Sequence, residues 1–327
     1  MNKIIIYCAL LLGINMSTAQ SLGGVLLAAE DANPLLENYF SPLTKGLMSS
    51  ANSGWYSTAK SHKKLGFDIT FGLNTAFTPK SEQMFEFIAD QYSFISTADG
   101  KTSIPTVLGK DGNSTTFDVS LPYQNGNFKV GSFELPGGIA KDLPINATPT
   151  PFVQVGLGLP FKTTIKLRYV PKTEFGSKVN ANLIGVGLQH DLTQYLGLIG
   201  KLPFSVSLFG AYTKTTIDYA IGNTSVTSLV TVRNGLAAYK LNTWTLQALG
   251  SLDFKIMTFY GGFGLNGGVS NFDIKGNYDL TYQVMSSENQ NMGTMTESIS
   301  DPIRLKFKST GTRATVGARL NLTFFKI

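Results

Sequence analysis

Apolar and non-apolar residues alternate along most of this chain with a period of two. From Leu65 to Leu73 every odd-numbered position is apolar, and the positions between them are Gly66, Asp68, Thr70 and Gly72. Such alternation is typical of a β-strand with one apolar face. The pattern recurs in eight segments: 65–73, 153–159, 165–169, 184–188, 204–208, 244–252, 259–265 and 316–324. It predicts an all-β fold.

The composition of the non-apolar strand faces distinguishes between a transmembrane β-barrel and a soluble β-sandwich. They consist mainly of Gly, Ser, Thr, Asn and Gln, whereas Lys and Glu, which suit the water-facing side of a soluble sandwich, are scarce. Charged residues make up 15% of the chain, against about 25% in soluble domains. We therefore expect a transmembrane antiparallel β-barrel of about eight to ten strands, apolar toward lipid and polar toward a lumen. A secreted β-sandwich is the alternative.

The links between the predicted strands alternate between short and long, as periplasmic turns and extracellular loops do in outer-membrane barrels. The long links are residues 79–150, 219–239 and 285–302. Inside the long extracellular loop 79–150, the segments 117–122 and 128–135 predict a further hairpin. This hairpin either adds two strands to the barrel or forms an extracellular flap.

The alternation changes phase once, in the last predicted strand. Apolar residues fall on odd positions at Ile303, Leu305 and Phe307, and on even positions from Val316 to Leu322. A β-bulge near residues 309–312 would absorb one residue and keep both halves facing lipid. Aromatic residues near strand ends are interpreted as interfacial girdles; these are Phe77, Tyr169, Tyr212, Trp244 and Phe324.

Residues 1–19 have the features of a cleaved signal peptide. Lys3 supplies the positive start, residues 4–14 are apolar, and residues 17–19 form a small-residue cleavage site. Cys8, the only cysteine, lies within the apolar part without a lipidation motif. The mature chain is thus predicted to lack cysteine, which excludes disulfides and thiolate sites. The expected location is the cell outer membrane.

Segment 20–63 follows a helical pattern. One stripe of an α-helix contains Leu36, Phe40, Leu43 and Leu47. The helix should start at Asn33-Pro34, and Ser41-Pro42 predicts a kink or two short helices. Because many inward strand positions are glycine, which marks close approach of another backbone, we expect part of this segment, with Trp55 and Tyr56, to plug or cap the lumen. A helix on the periplasmic rim or the membrane surface is the alternative.

The 64–327 barrel is expected to carry a few polar side chains in its lumen. They are Asp68, Lys166, Arg168, Gln189, Gln247 and Arg319, with Asp191, Asp253 and Arg313 as further candidates. Ionised groups in a narrow interior need partners, which favours an ion-pair network across the barrel. Alternatively, Lys166, Arg168 and Arg319 form a cationic patch for the carboxylate of an amphipathic ligand.

Enzymatic, metal and nucleic-acid functions are not expected. Only two histidines are present, His62 and His190, and no G-x-S-x-G motif occurs. A Ser-His dyad at His190 is a minor alternative. The G-x-G-x-x-G match at residues 262–267 falls on one face of a strand, and the net charge of +6 is scattered. We predict no catalytic residue, no metal ligand, no cofactor and no nucleic-acid partner.

Four segments carry a resemblance to known proteins: residues 17–20, Asn33–Leu43, Gly54–Lys60 and the glycine-rich strand Leu65–Phe77. They resemble an uncharacterised outer-membrane β-barrel family of Bacteroidetes. The layout is more distantly similar to FadL-type transporters, in which an N-terminal hatch occupies the barrel. That similarity implies passage of hydrophobic compounds, although this chain has fewer clear strands than FadL-type barrels.

These features predict an outer-membrane β-barrel that binds or passes a small hydrophobic or amphipathic molecule. The gate would consist of Leu36, Phe40, Leu43, Leu47 and Trp55. Its expected partners are outer-membrane lipid and that small ligand. The alternative function is that of a non-catalytic structural or assembly partner in an outer-membrane complex, which would bind an envelope protein through loop 79–150.

Overall fold

The computed structural model describes residues 25–26, 28–110, 112–123, 126–142, 147–175, 178–197, 203–227, 230–285, 291–322 and 325–327. The expected signal peptide lies outside them. Helix α1 (Ala32–Ala51) precedes the strands β1 (Phe67–Phe77), β2 (Met84–Glu86), β3 (Ile95–Thr97), β4 (Ser103–Pro105), β5 (Thr115–Tyr123), β6 (Gly126–Leu135), β7 (Ala147–Leu159), β8 (Thr163–Phe175), β9 (Val179–Asp191), β10 (Phe204–Thr227), β11 (Val230–Asp253), β12 (Met257–Met285), β13 (Asn291–Ser300), β14 (Ile303–Leu322) and β15 (Phe325–Lys326). Among the described residues, no helix is both long and apolar enough to cross a membrane.

Eight long strands form one antiparallel sheet in the order β1-β7-β8-β9-β10-β11-β12-β14. Strand β13 extends β12 as a hairpin, and β15 turns back onto β14. The sheet curls like half of a barrel, and α1 contacts β1, β7, β11, β12 and β14. The predicted all-β, antiparallel, barrel-like fold with a short N-terminal helix is therefore confirmed. Strands β1 and β14 are the two edges of this sheet and do not pair with each other.

In the lower half of the sheet, where β1 begins and β9 and β11 end, the apolar side chains point outward. On β11, Trp244, Leu246 and Leu252 are exposed while Thr243, Gln247 and Ser251 are buried. On β14, Val316 is 90% exposed, and on β1 Phe71 is 78% exposed. Because water-soluble sheets bury their apolar face, this half is inverted relative to a soluble protein.

In the upper half of the sheet the same strands show the opposite arrangement. Inward positions of β11 there are Val230, Val232 and Leu241, all buried, and the outward positions include the exposed Arg233 and Lys240. Burial in this apolar upper core raises the pKa of Tyr39 and raises that of Tyr278 to about 12. The reversal divides the longer strands, such as β11 and β14, into two halves with opposite surface chemistry.

This reversal also explains the phase change in the last strand, and the predicted bulge at residues 309–312 is wrong. The β12–β14 register runs without a shift from Met257↔Leu320 to Ile274↔Ile303. Ile303 and Leu305 are fully buried at inward positions, whereas Val316 lies outward. The apolar residues change face because the upper half of β14 packs on the helix and its core, and no residue is inserted.

The expected long links at 219–239 and 285–302 are corrected as well. Strand β10 extends to Thr227 and β11 starts at Val230, so the first of these links consists almost entirely of strand. In the second, β13 pairs antiparallel with β12 from Asn277↔Ser300 onward. Strand β12 alone contains 29 residues, against the roughly 9–11 that a tilted strand needs to cross a bilayer. These strands are therefore much longer than a single bilayer crossing would require.

Helix α1 is a single helix of 20 residues that continues through Pro42. The predicted division into two short helices is thus wrong. The helix starts one residue before Asn33, with Asp31 at the N-cap position. Leu35, Leu36, Tyr39 and Leu43 are buried in the upper core, whereas Glu37, Lys45 and Ser49 are exposed on the opposite stripe.

Segment 79–150 is folded and covers the upper end of the helix. The predicted hairpin exists as β5 and β6, and β5 also pairs with β3 to form a separate three-stranded sheet, so the hairpin adds no strand to the main sheet. Phe87, Phe117 and Phe133 from this segment are buried in the same core as α1. We call residues 79–142 the cap, and β7 begins after them at Ala147.

The cap is attached to the start of α1 through Asp31. The Asp31 carboxylate is buried and accepts hydrogen bonds from the backbone N–H groups of Ser93 (3.0 Å), Phe94 (2.5 Å) and Ile95 (3.1 Å). A buried carboxylate without such donors would carry a large desolvation cost. These three bonds fix the cap relative to the helix.

We predict that Asp31→Asn lowers the free energy of unfolding by about 1.5–3 kcal/mol, because the neutral amide replaces a charged acceptor of buried N–H groups. The measurement is denaturant unfolding, combined with protease digestion within residues 79–142. Asp90→Asn, at an exposed position of the same cap, is the matched control and should change stability by less than about 0.5 kcal/mol. Equal effects of the two substitutions would contradict this role of Asp31.

Candidate functional site: the plugged interior

The interior of the curled sheet is occupied by residues 49–62, which we call the plug segment. It begins with the last turn of α1, whose final four carbonyl groups have no partner within the helix. Each of them accepts a hydrogen bond. The donors are Asn52 N to Met48 O (3.2 Å), Arg313 Nη1 to Ser49 O (3.3 Å), Asn74 Nδ2 to Ser50 O (3.0 Å) and Arg168 Nη1 to Ala51 O (3.1 Å).

Three of these four donors come from the wall of the sheet, namely from β1, β8 and β14. Two of them are arginines, which suit the partial negative charge at a helix C-terminus. The wall therefore caps the helix, and the position of the plug segment is set by side chains from three strands that lie far apart in sequence.

Arg168 makes the most extensive contacts with the plug segment. Its guanidinium lies 4.0 Å from the ring centroids of both Trp55 and Phe152, and it is 0% exposed. It also donates to Ser53 O (3.1 Å) and to Gln154 Oε1 (3.0 Å). A planar guanidinium fits such stacking and forked hydrogen bonding, which a lysine ammonium does not.

Two further wall residues bind the carbonyl of Trp55. Lys166 Nζ donates to Trp55 O at 2.7 Å, and Gln154 Nε2 donates to the same oxygen at 3.2 Å. The Trp55 ring is 1% exposed and packs 6.0 Å from the ring of Phe209. The predicted lumen residues Lys166 and Arg168 thus both donate hydrogen bonds to the plug segment.

The remaining predicted lumen residues hold the following stretch of the plug segment. Tyr56 Oη donates to Gln247 Oε1 (2.7 Å), Gln189 Nε2 donates to Thr58 O (3.1 Å), and Arg319 Nη1 donates to Ser57 Oγ (3.2 Å). The His62 ring is hydrogen-bonded to the Asp68 carboxylate. Thr58 also donates to Asp253. All six predicted lumen residues therefore contact residues 49–62.

An ion-pair network across the lumen is not observed among the described residues. The inward cations Lys166, Arg168, Arg313 and Arg319 lie beyond salt-bridge distance of any described carboxylate, and the ion pairs found elsewhere are mostly exposed. Their donors are directed at carbonyl and hydroxyl oxygens of the plug segment instead. The sequence analysis expected carboxylates as the partners of these cations, either on the facing wall or on a ligand. The plug segment supplies polar partners in their place.

Several inward glycines make room for the plug segment. A Cβ atom built on Gly185 or Gly187 would lie 3.0 Å and 3.1 Å, respectively, from the Trp55 indole. A Cβ atom on Gly262 would overlap the Tyr56 hydroxyl, and one on Gly158 would lie 2.9 Å from the His62 Cβ atom. Glycine at these positions allows the plug segment to approach the sheet backbone closely.

The predicted gate residues divide into two groups. Leu36 and Leu43 are buried in the upper core, with Phe40 and Leu47 packed against it. Trp55 and Tyr56 lie in the lower interior with Phe209 and Leu249. The helix stripe therefore packs against the cap and the upper wall, away from the polar lower interior.

One side of the interior is less enclosed than the other. Lys166, Arg168, Gln189 and Gln247 on β8, β9 and β11 are buried, whereas Arg313 and Arg319 on β14, Asp68 on β1, and Tyr56 and His62 beside them are half-exposed. The half-exposed residues border the gap between the edges β1 and β14. We call this gap the seam.

Sequence reasoning missed some residues that position the plug segment, chiefly Asn74, Asn52 and Gln154. Asn74 donates to Ser53 O as well as to Ser50 O, each at 3.0 Å. The only available signal was its inward phase on β1, which it shares with Asp68 and Thr70. His190 forms hydrogen bonds with Thr163 and Tyr195 at the lower rim. The predicted girdle residue Phe324 lies outside the described residues.

Comparison with known proteins gives one match. The model of a family of unknown function, DUF6588, matches residues 1–327. No curated protein and no solved structure matches the chain.

We predict that Gly187→Leu displaces Trp55 and destabilises the plug segment by about 1–3 kcal/mol, since extra volume in a packed interior forces strained rearrangement. Hydrogen exchange of the amides of residues 52–62 should become faster. Gly210→Leu is the matched control on the neighbouring strand, because a Cβ at Gly210 meets nothing closer than 3.7 Å. Unchanged protection in Gly187→Leu would show that Trp55 does not depend on this space.

Proposed function

The chain belongs to the DUF6588 family, and we propose that it is an outer-membrane β-barrel protein whose interior is closed by its own N-terminal segment. Its outward apolar belt runs from Trp244 to Leu252 on β11 and over the 11 residues of β1. These lengths match the roughly 9–11 residues of a tilted membrane-crossing strand. The belt ends where outward Lys and Arg residues begin, as expected at a membrane surface.

Within that location we propose a non-catalytic structural or assembly role. The observation that carries this role is the occupied interior: the plug segment is hydrogen-bonded to β1, β7, β8, β9, β11 and β14. Small barrels are commonly filled by side chains, and here the filling is a chain segment whose removal would leave buried cations without partners. Above the membrane, the cap and the extended strands form a folded surface that is available to an envelope protein.

Passage of a small amphipathic molecule is the second candidate function. The half-exposed residues along the seam, including Arg313, Arg319 and Tyr56, favour it. A carboxylate could reach the two arginines there, since they hold no carboxylate partner among the described residues. Such a route would pass beside the plug segment or require its displacement.

If the outward apolar face lies in a membrane, a charged substitution at an exposed residue should strongly destabilise the protein. Leu246→Arg, on the outward face of β11 at a side chain 57% exposed, should destabilise the protein by about 2–4 kcal/mol if that face meets hydrocarbon. The same change in a soluble protein would be nearly neutral, within about 0.5 kcal/mol. Thr231→Arg, on the exposed upper part of the same strand, is the matched control. Equal stability of the two variants in lipid vesicles, measured by urea unfolding, would rule out the membrane assignment.

Solute flux separates the two candidate functions. Liposomes containing the intact protein should leak sucrose and a fluorescent fatty acid no faster than protein-free liposomes, because the plug segment fills the interior. Gly187→Leu protein, reconstituted at equal density, tests whether loosening Trp55 opens a path. Flux of the fatty acid through intact protein would instead favour the transport function.

A further inference from the structure

Lysines lie close together on the outer face of the sheet, above the outward apolar belt. Strand pairing places two of them in one row that crosses β10, β11, β12 and β14. Lys214 is opposite Asn242, Asn242 is opposite Val269, and Val269 is opposite Lys308. Residues opposite each other on paired strands point to the same face of a sheet. Both lysines of this row are exposed.

A second row lies two residues farther up each strand, so its side chains point to the same face as those of the first row. Thr216 is opposite Lys240, Lys240 is opposite Asn271, and Asn271 is opposite Lys306. Paired strands are about 4.8 Å apart, so the lysines of the two rows start from a patch roughly 15 Å wide and 7 Å high. All four lysines are exposed, and we call them the lysine band: Lys214, Lys240, Lys306 and Lys308.

The two rows contain no carboxylate from β9 to β14. Asp218 and Asp273 lie in the third row, where Asp273 Oδ1 is 3.8 Å from Arg304 Nε. Within the part of the chain that the structure describes, none of the four lysines forms an ion pair. Four ammonium groups in so small a patch repel one another. The lysine band therefore attracts anions from outside the chain.

The row directly below the lysine band indicates its height relative to a membrane. In that row Tyr212 is opposite Trp244, and both side chains are exposed. Tyr and Trp side chains concentrate at the level of lipid headgroups, so in the proposed membrane orientation the lysine band begins at that level. On β14, Thr310 and Thr312 separate Lys308 from the apolar belt. The lysines thus lie at different distances from the hydrocarbon.

These different distances suit a lipid with more than one phosphate. The headgroup layer on each side of a bilayer is about 5–7 Å thick, and the two rows are separated by about the same distance. Lysine binds phosphate as a compact point charge on a flexible stem. Asn242 adds donors between the lysines, because its Oδ1 accepts a hydrogen bond from Tyr212 Oη (3.0 Å) and its amide N–H groups lie beside Lys214.

We propose that the lysine band binds the phosphate groups of a membrane lipid that carries at least two of them. This inference rests on the proposed outer-membrane location, because only a bilayer around the apolar belt brings lipid headgroups to this height. One lysine near an anionic membrane surface favours binding roughly fivefold. A lipid whose phosphates contact two lysines therefore binds more tightly than a lipid with a single phosphate.

Spin-labelled lipids in reconstituted vesicles test this proposal. The protein is reconstituted in phosphatidylcholine at low ionic strength, with a trace of spin-labelled cardiolipin, phosphatidylglycerol or phosphatidylcholine. Cardiolipin carries two phosphates and phosphatidylglycerol one, whereas phosphatidylcholine has no net charge. Electron paramagnetic resonance measures the fraction of each label that is immobilised at the protein surface. We expect cardiolipin to associate roughly fivefold more strongly than phosphatidylcholine, or better, with phosphatidylglycerol between them.

The variant that carries Lys214→Gln, Lys240→Gln, Lys306→Gln and Lys308→Gln should lose roughly half or more of the cardiolipin preference. The matched control replaces four exposed lysines of the cap by glutamine and so changes the net charge equally; these are Lys80, Lys101, Lys110 and Lys141. The control should keep the preference, because the cap is farther from the headgroups than the lysine band.

Full retention of the preference in the lysine-band variant, or equal loss in both variants, would overturn the proposal. Equal association of the three lipids with the unaltered protein would also overturn it, in favour of an acidic protein at the lysine band. If sodium phosphate abolishes the preference and sodium chloride at the same ionic strength does not, the lysines bind free phosphate and the lipid assignment is wrong. Absence of any immobilised label would instead refute the proposed membrane location.

Discussion

The C-terminus of α1 is the point on which the rest of this structure depends. A helix end buried inside a sheet leaves four carbonyl groups without partners, and here side chains of β1, β8 and β14 satisfy three of them. The two cationic side chains among these donors, Arg168 and Arg313, would be costly to bury in an empty low-dielectric interior. Helix and wall therefore stabilise each other, because each supplies the charges or dipoles that the other lacks.

This mutual dependence explains how the interior holds buried cations without salt bridges to carboxylates. Lys166 and Arg168 are balanced by the carbonyl groups of Ala51, Ser53 and Trp55 and not by carboxylates. Carbonyl partners on a chain segment hold that segment in place, whereas a carboxylate on the facing wall would hold only the wall. Charge neutralisation and plug attachment are thus the same set of contacts, which favours a closed interior.

The reversal of the apolar face gives the molecule its two-part organisation. In the lower half the strands bury small polar residues against the plug segment, and in the upper half they bury aliphatic residues against α1 and the cap. In hydrocarbon the outward face of a strand must be apolar, whereas in water the inward, buried face must be apolar. A strand that passes from hydrocarbon into water therefore exchanges its apolar face at the boundary. In the proposed outer-membrane location, one continuous sheet therefore forms the membrane wall below and part of a water-soluble core above.

The sequence by itself determined the strands and their inward and outward phases. Alternation of period two is a local property of the chain, so a segment of each of the eight long strands and the inward positions of Asp68, Lys166, Arg168 and Arg319 follow from it. The upper parts of β10 and β11 did not follow, because residues 219–239 were expected to form a link. The helix stripe of Leu36 and Leu43 was readable for the same reason. Only the tertiary structure decided what those side chains contact, that the phase change in β14 marks a change of environment and not a bulge, and that the edges remain apart. Those outcomes depend on contacts between residues far apart in sequence, such as Arg168 with Ala51, and on the volume of the plug segment relative to the curvature of the sheet, neither of which leaves a local pattern.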